Sequence, residues 1–144
     1  MPTPLSGLRV VEIGDRLATA YAGKLLRDAG ADVVMVEPPD GHRLRHYRPV
    51  GVPPREAESP FFAFLAGGKR SVATATVPAG LLAAADIVIV GATPDGAEEL
   101  GVDVDALRTV VTLSDFGWAG PWTERPATEF TLQAWCGSTA SRGE

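Results

Sequence analysis

Lys69 and Arg70 follow Gly67-Gly68, and a bare turn that presents two cations is a way to hold phosphate. Glycine lets the backbone approach closely, and charged donors give the stronger hydrogen bonds to anions. As a plain turn, the same four residues would only carry solvated charge. Arg43, Arg45 and Arg48 form a second basic group with His42 and His46. Guanidinium matches phosphate geometry, so this group is a second candidate for an anionic ligand, or else a solvated loop. The two histidines are four apart, but their proline-rich surroundings do not set them on one helical face, so no metal site is expected. Gly14-Asp15-Arg16-Leu17-Ala18 reads as a strand-to-helix turn, either one whose helix N-terminus meets a phosphate or carbonyl or a plain βα turn. Glu37 imitates the acidic residue that holds a dinucleotide ribose, yet G-x-G-x-x-G is absent, which argues against NAD. Cys136 has no nearby histidine to activate it and is expected to be packed. Glu129 reads as a charge at a helix start. Trp118, Trp122 and Trp135 are expected to cover the end of a sheet rather than stack a base.

The elements that must position these residues show in the apolar pattern. Residues 8–13 are a short β-branched run between Gly7 and Gly14, which predicts a buried strand. Leu17, Tyr21, Leu25 and Ala29 recur every fourth residue, with Ala18, Ala22 and Leu26 beside them. That spacing predicts a helix with this row as its core face, closed by Gly30. Residues 32–36 predict a second strand. The pattern then repeats more weakly. Residues 71–76 are a faint strand, 80–85 a short helix, 86–90 a strong strand, 95–100 and 104–108 helical pieces, and 110–113 a last buried strand. Such alternation predicts an α/β fold: a Rossmann-like, open, mainly parallel sheet with helices on both faces. Ligands of such sheets bind outside the carboxyl ends of the strands, which here means residues 14–19, 37–39, 91–95 and 114–117.

Length and composition bound the rest. The 144 residues suit one domain, expected over 1–136 with a long loop at 38–60 and a frayed tail at 137–144. With 45% hydrophobic and 22% charged residues, the chain is globular rather than disordered. A net charge of −5 excludes a nucleic-acid or anionic-membrane binder that relies on a basic face. One cysteine excludes an internal disulfide, and no apolar run is long enough to span a bilayer, so a cytoplasmic protein is expected.

Beyond these readings, the chain resembles family III CoA-transferases, the carnitine, bile-acid and formyl-CoA transferase group. The segments that carry the likeness occur in the family's order. They are PL-x-G-h-x-V-h-E at 4–12, L-x-D-x-G-A-D-V at 26–33 running through V-E-x-P to Arg45, and F-x-x-h-x-x-G-K-R-S at 62–71. A-D-h-V-h follows from 85, L-G-h-D from 100, S-x-F-G-x-x-G-P at 114–121, and P-x-x-E-x-x-x-Q-A-x-x-G at 126–137. The departures are Leu17-Ala18-Thr19-Ala20 after the first strand, Met35, Ala66, Gly91, Asp95, and Glu99 where an arginine is frequent. Thr128 stands where racemase relatives place a proton-shuttling histidine.

The resemblance implies a Rossmann-like domain that binds coenzyme A as substrate. It implies transfer of CoA between an acyl-CoA and a free carboxylic acid by a covalent aspartyl route. The nucleophilic aspartate is expected after the last matched segment, so no catalytic residue is assigned and the chain is expected to be inactive alone. The CoA contacts implied are Arg16, Leu17, Ala18, Arg45, Lys69, Arg70, Gly91, Ala92, Thr93, Pro94 and Phe116. Partners implied are acyl-CoA and a second subunit interlocked with the first. The alternative is a noncatalytic assembly module that pairs with another chain.

Overall fold

The computed structural model describes residues 3–50 and 59–142. It divides into two compact units, residues 1–113 and 114–144. The first unit is an all-parallel five-stranded sheet in the order β3-β2-β1-β4-β5. Its strands are β1 (Arg9–Ile13), β2 (Asp32–Glu37), β3 (Arg70–Ala73), β4 (Ile87–Val90) and β5 (Val110–Thr112). Its helices are α1 (Leu17–Asp28), α2 (Pro60–Ala66), α3 (Ala79–Ala83) and α4 (Pro94–Glu99). The two strongest apolar runs, β1 and β4, lie side by side at the centre, with Val10 opposite Ile87 and Ile13 opposite Val90. Ile13 and Val90 are fully buried, as expected of strands covered on both faces. Burying a side chain of this size contributes about 1.5–3 kcal/mol.

Strand alternation puts Val10 and Glu12 on one face, together with Val33 and Met35 opposite them. Helix α1 lies on that face. Here the structure corrects the sequence expectation. Leu17, Tyr21 and Leu25 are about half exposed, and the residues α1 buries are Thr19, Ala20 and Gly23. Small side chains let α1 lie close to the central strand, while Ala22 and Leu26 pack beside Val10, Val33 and Ile89. A second cluster joins Ala20 and Met35 to Leu44, Phe62 and Leu65.

The segment expected as one long loop is more ordered at its described ends. A 3₁₀ turn forms at Arg43–His46, and α2 starts at Pro60. Ser59 caps α2 by accepting from the Phe62 amide, and Pro60 sits at the first helical position, where its missing N–H is harmless. The Ser59 amide donates to the Arg45 carbonyl, which joins the two ends. Residues 51–58 of that loop lie outside the described residues.

The second unit contains one helix, α5 (Glu129–Trp135). Thr128 and Thr131 cap each other across its first turn, and Glu129 opens it, as its charge suggests. Trp122 and Trp135 pack at 4.7 Å, and the Arg125 guanidinium lies against both rings. Cys136, expected to be packed, is exposed at the end of α5. Among the described residues no helix is long and apolar enough to cross a membrane.

Candidate functional site at the carboxyl ends of the strands

A cavity of about 480 Å³ opens in the first unit where the strands end. It is walled by Gly14, Asp15 and Arg16 after β1, by Glu37, Pro38 and Pro39 at β2, and by Gly91, Ala92 and Thr93 after β4. Three of the four strand ends picked out from sequence therefore meet here. Thr74 and Ala75 after β3 complete one side, a contribution hidden in sequence because β3 is short and half exposed. The α4 residues Gly96, Glu99 and Leu100 form the other wall. A backbone hydrogen bond from Val77 to the Leu100 carbonyl ties the chain after β3 to the end of α4.

The floor is bare backbone. Gly14 has φ +102°, and a Cβ on it would lie 2.8 Å from the Gly91 carbonyl oxygen. A Cβ on Gly91 would lie 1.9 Å from Thr19 Oγ1, which is buried beneath it. Gly14 therefore needs glycine, and a side chain at position 91 would have to displace Thr19.

The cations expected at phosphate are elsewhere. Lys69 is buried, with its Nζ 2.6 Å from Glu12 Oε2 and 2.7 Å from the Ala20 carbonyl. Both side chains are essentially inaccessible, at 1% and 0% exposure. Burial pushes the Glu12 carboxyl up to about 7, against the lowering effect of Lys69, and burial lowers the Lys69 ammonium. Gly23 makes room for this pair, since a Cβ there would sit 1.7 Å from Glu12 Oε2. The preceding glycine turn is held by Arg27, whose Nε donates to the Gly68 carbonyl at 2.6 Å. Arg70 opens β3 at the amino end of the sheet, opposite the cavity, and pairs with Asp32 at 2.6 Å. That pair is exposed and contributes about 0–1 kcal/mol.

Arg45 is engaged by Glu37. Its Nε and Nη2 each donate at 2.6 Å to the two carboxylate oxygens, and its guanidinium lies 4.3 Å from the Phe62 ring centre. Ser71 Oγ and the His42 amide donate to the same carboxylate. The Arg45 hydrogen bonds, above all, hold the Glu37 carboxyl down at about 2. Four donors saturate this carboxylate, which leaves it little capacity for ribose hydroxyls and adds to the case against NAD. His42 Nδ1 accepts from the Leu44 amide inside the 3₁₀ turn, and burial lowers its basicity. Among the described residues no group of three His, Cys, Asp or Glu is placed to hold a metal.

Of the remaining sequence candidates, Leu17 and Ala18 begin α1 beside Arg16, and Pro94 begins α4 after Thr93. Phe116 belongs to the second unit, where its ring meets Trp122 edge-on at 5.6 Å. Sequence reasoning gave Glu12 no role and met Glu99 only as a departure from a frequent arginine. Glu12 carried a signal, an acidic residue inside an otherwise apolar strand.

The sequence pattern of CoA-transferase family III matches residues 5–144. The chain belongs to that family. It is 34% identical to the succinate–glutarate CoA-transferase of Agrobacterium fabrum, over 98% of this chain and 40% of that protein. It is 32% identical to a probable fatty acyl-CoA transferase of Mycobacterium tuberculosis, over 96% of this chain and 40% of that protein. The crystal structure of a CAIB/BAIF family protein from Brucella suis matches with a TM-score of 0.77 at 31% identity, over 95% of this chain and 40% of that one. The chain spans about 40% of the length of these CoA-transferases. It carries the family's α/β fold in its first unit, with the family's G-K-R-S lysine serving as the buried partner of the β1 glutamate.

Proposed function

We propose that this chain supplies the coenzyme A-binding portion of an acyl-CoA:carboxylate CoA-transferase. The observation that carries the reading is the meeting of sequence-distant strand ends around one bare-backbone floor, in a chain of this family. Among the described residues Arg16 is the one basic residue lining the cavity, and it would take phosphate charge. The first turn of α1 adds backbone N–H groups, because Arg16 makes no side-chain cap there. Leu17 and Ala18 flank that turn. Gly91, Ala92, Thr93 and Pro94 would follow the amide-bearing arm of CoA along the end of β4. Arg45, Lys69 and Arg70 act through their ion pairs, by holding the framework behind the cavity. No residue of this chain is proposed as the carboxylate that attacks the thioester. The expected location is the cytoplasm.

Calorimetric titration with CoA tests the reading, with NAD as control. Saturable heat with CoA and none with NAD is expected. Equal responses, or none from CoA, would remove it.

A second reading, assembly with a further subunit or chain, is favoured by the exposed apolar row. Leu17, Tyr21 and Leu25 on α1 are about half exposed, and Phe64 on α2 is 57% exposed and lies under Lys24 Nζ at 4.4 Å. Light scattering after size exclusion is expected to show a species heavier than 15.1 kDa. Substituting Tyr21→Glu and Leu25→Glu should return it to one chain. A monomer at high concentration would exclude self-association through this row.

A further inference from the structure

His42 is 0% exposed, although it opens the 3₁₀ turn at Arg43–His46. Its Nδ1 accepts from the Leu44 amide at 3.1 Å, so Nδ1 is the unprotonated nitrogen and Nε2 carries the hydrogen. Nε2 is buried with no hydrogen-bond partner among the described residues. A protonated ring donates at both nitrogens, and its new Nδ1–H would face the Leu44 N–H, donor against donor. On its other side the imidazole packs against Phe62 at 5.4 Å, and the Arg45 guanidinium already lies 4.3 Å from the centre of that ring. The charged groups around His42 are Asp15 after β1, Glu37 at the end of β2, Lys69 before β3 and Arg43 on the turn itself. Burial is the largest influence and opposes a charged ring, while the two carboxylates favour it and the two cations oppose it.

The turn that His42 caps is fastened to the cavity wall at two points. Arg43 Nε donates to the Asp15 carbonyl at 3.0 Å, with the Asp15 carboxylate 3.5 Å away, and Arg45 pairs with Glu37. Asp15 and Glu37 both line the strand-end cavity. We propose that His42 is a pH-sensitive latch, which holds this turn against Asp15 and Glu37 while Nδ1 is unprotonated and releases it when Nδ1 takes a proton. The latch stands apart from the CoA reading and does not depend on it. A ring whose basicity is lowered in the closed turn contributes stability that is fully present above its ordinary 6.5 and is lost as pH falls toward the closed-state value. Glu37 cannot cause that loss, because its carboxyl is held at about 2. Leu44 is the residue of the turn buried in the core, so release is a minor, local opening, the kind that hydrogen exchange detects.

The test is amide exchange of the full chain between about pH 8 and about pH 5, each rate referred to that of an unstructured chain at the same pH. The ¹⁵N shifts of the His42 ring are followed in the same samples. Protection of amides 44, 45 and 47 is expected to be level above 6.5 and to fall by up to about tenfold per pH unit below it. These amides should stay less protected than those of β1 and β4 throughout, which marks local release rather than unfolding. The ring should carry its hydrogen on Nε2 at the alkaline end and gain the Nδ1 proton below 6.5. His42→Asn offers a side-chain oxygen to the same amide without titrating, so its protection should not vary with pH across this range. His46→Gln, at the exposed end of the turn, should keep the wild-type fall. Level protection in wild type, a hydrogen on Nδ1 at the alkaline end, or turn amides that match β1 and β4 at every pH would overturn the latch. So would a fall that survives in His42→Asn or disappears in His46→Gln.

Discussion

Lys69→Met is expected to lower stability by up to about 3–5 kcal/mol well above neutral pH, the usual result of leaving one member of a buried ion pair without its partner. Glu12 is inaccessible, its Oε1 has no hydrogen-bond partner among the described residues, and Gly23 of α1 closes over it. Without Lys69, only protonation relieves the buried charge. The Glu12 carboxyl already stands at about 7, because burial outweighs the lysine. Removing the lysine removes the influence that lowers it, so the carboxyl rises further. A carboxyl raised on folding contributes stability that is fully present below its unfolded value of 4.5 and is lost as pH rises through the folded value. The variant should therefore unfold at a urea concentration close to that of wild type at pH 5 and well below it at pH 8.5. The double variant Glu12→Leu with Lys69→Met should recover most of the loss. An equal loss at both pH values, or a double variant weaker than the single one, would refute this account of the pair.

Glu37→Gln is expected to cost about 2–4 kcal/mol, with the damage local to the chain after β2. The amide replaces one of the two accepting oxygens with an NH2 group, which meets either Arg45 Nε and the His42 amide or Arg45 Nη2 and Ser71, groups that donate already. Arg45 is partly exposed, which softens the loss. The wild-type carboxyl is depressed to about 2, so its contribution is present above 4.5 and is lost as pH falls from there toward 2. The variant should lack that acid limb of the stability curve. Amide exchange should also speed up at residues 42 and 44–47, whose turn hangs on this carboxylate. Unchanged exchange there, with an unchanged acid limb, would show that Glu37 does not organise the turn.

The strands were legible because a strand buried on both faces is a β-branched apolar run, and β1, β2 and β4 are such runs. The meeting of their ends followed from the general rule for parallel sheets. The face of α1 was not legible from hydrophobicity. Its buried residues are Thr19, Ala20 and Gly23, chosen for size, while the larger apolar row points outward. The part played by Lys69 was hidden for another reason. Its partner Glu12 lies 57 positions earlier, and a glycine turn with two cations reads the same whether the charge meets phosphate or a buried carboxylate. Helix α2 was masked by the prolines before it, although Ser59-Pro60 is a recognisable helix start.

The position of β1 at the middle of the sheet has a consequence during synthesis. On one side it pairs with β2, which follows within a single helix. On the other it pairs with β4, and the hydrogen bond from the Arg9 amide to Asp86 at this seam joins residues 77 positions apart. No hairpin is available to shorten that wait, because every pairing in the sheet is parallel. Domains grow from the N-terminus at about 5–20 residues per second, so one edge of β1 stays open for several seconds on the ribosome. An open apolar edge is a template for other chains. The earliest strand to emerge waits longest for its second neighbour, and the hazard of this topology falls on the nascent chain rather than on the finished protein.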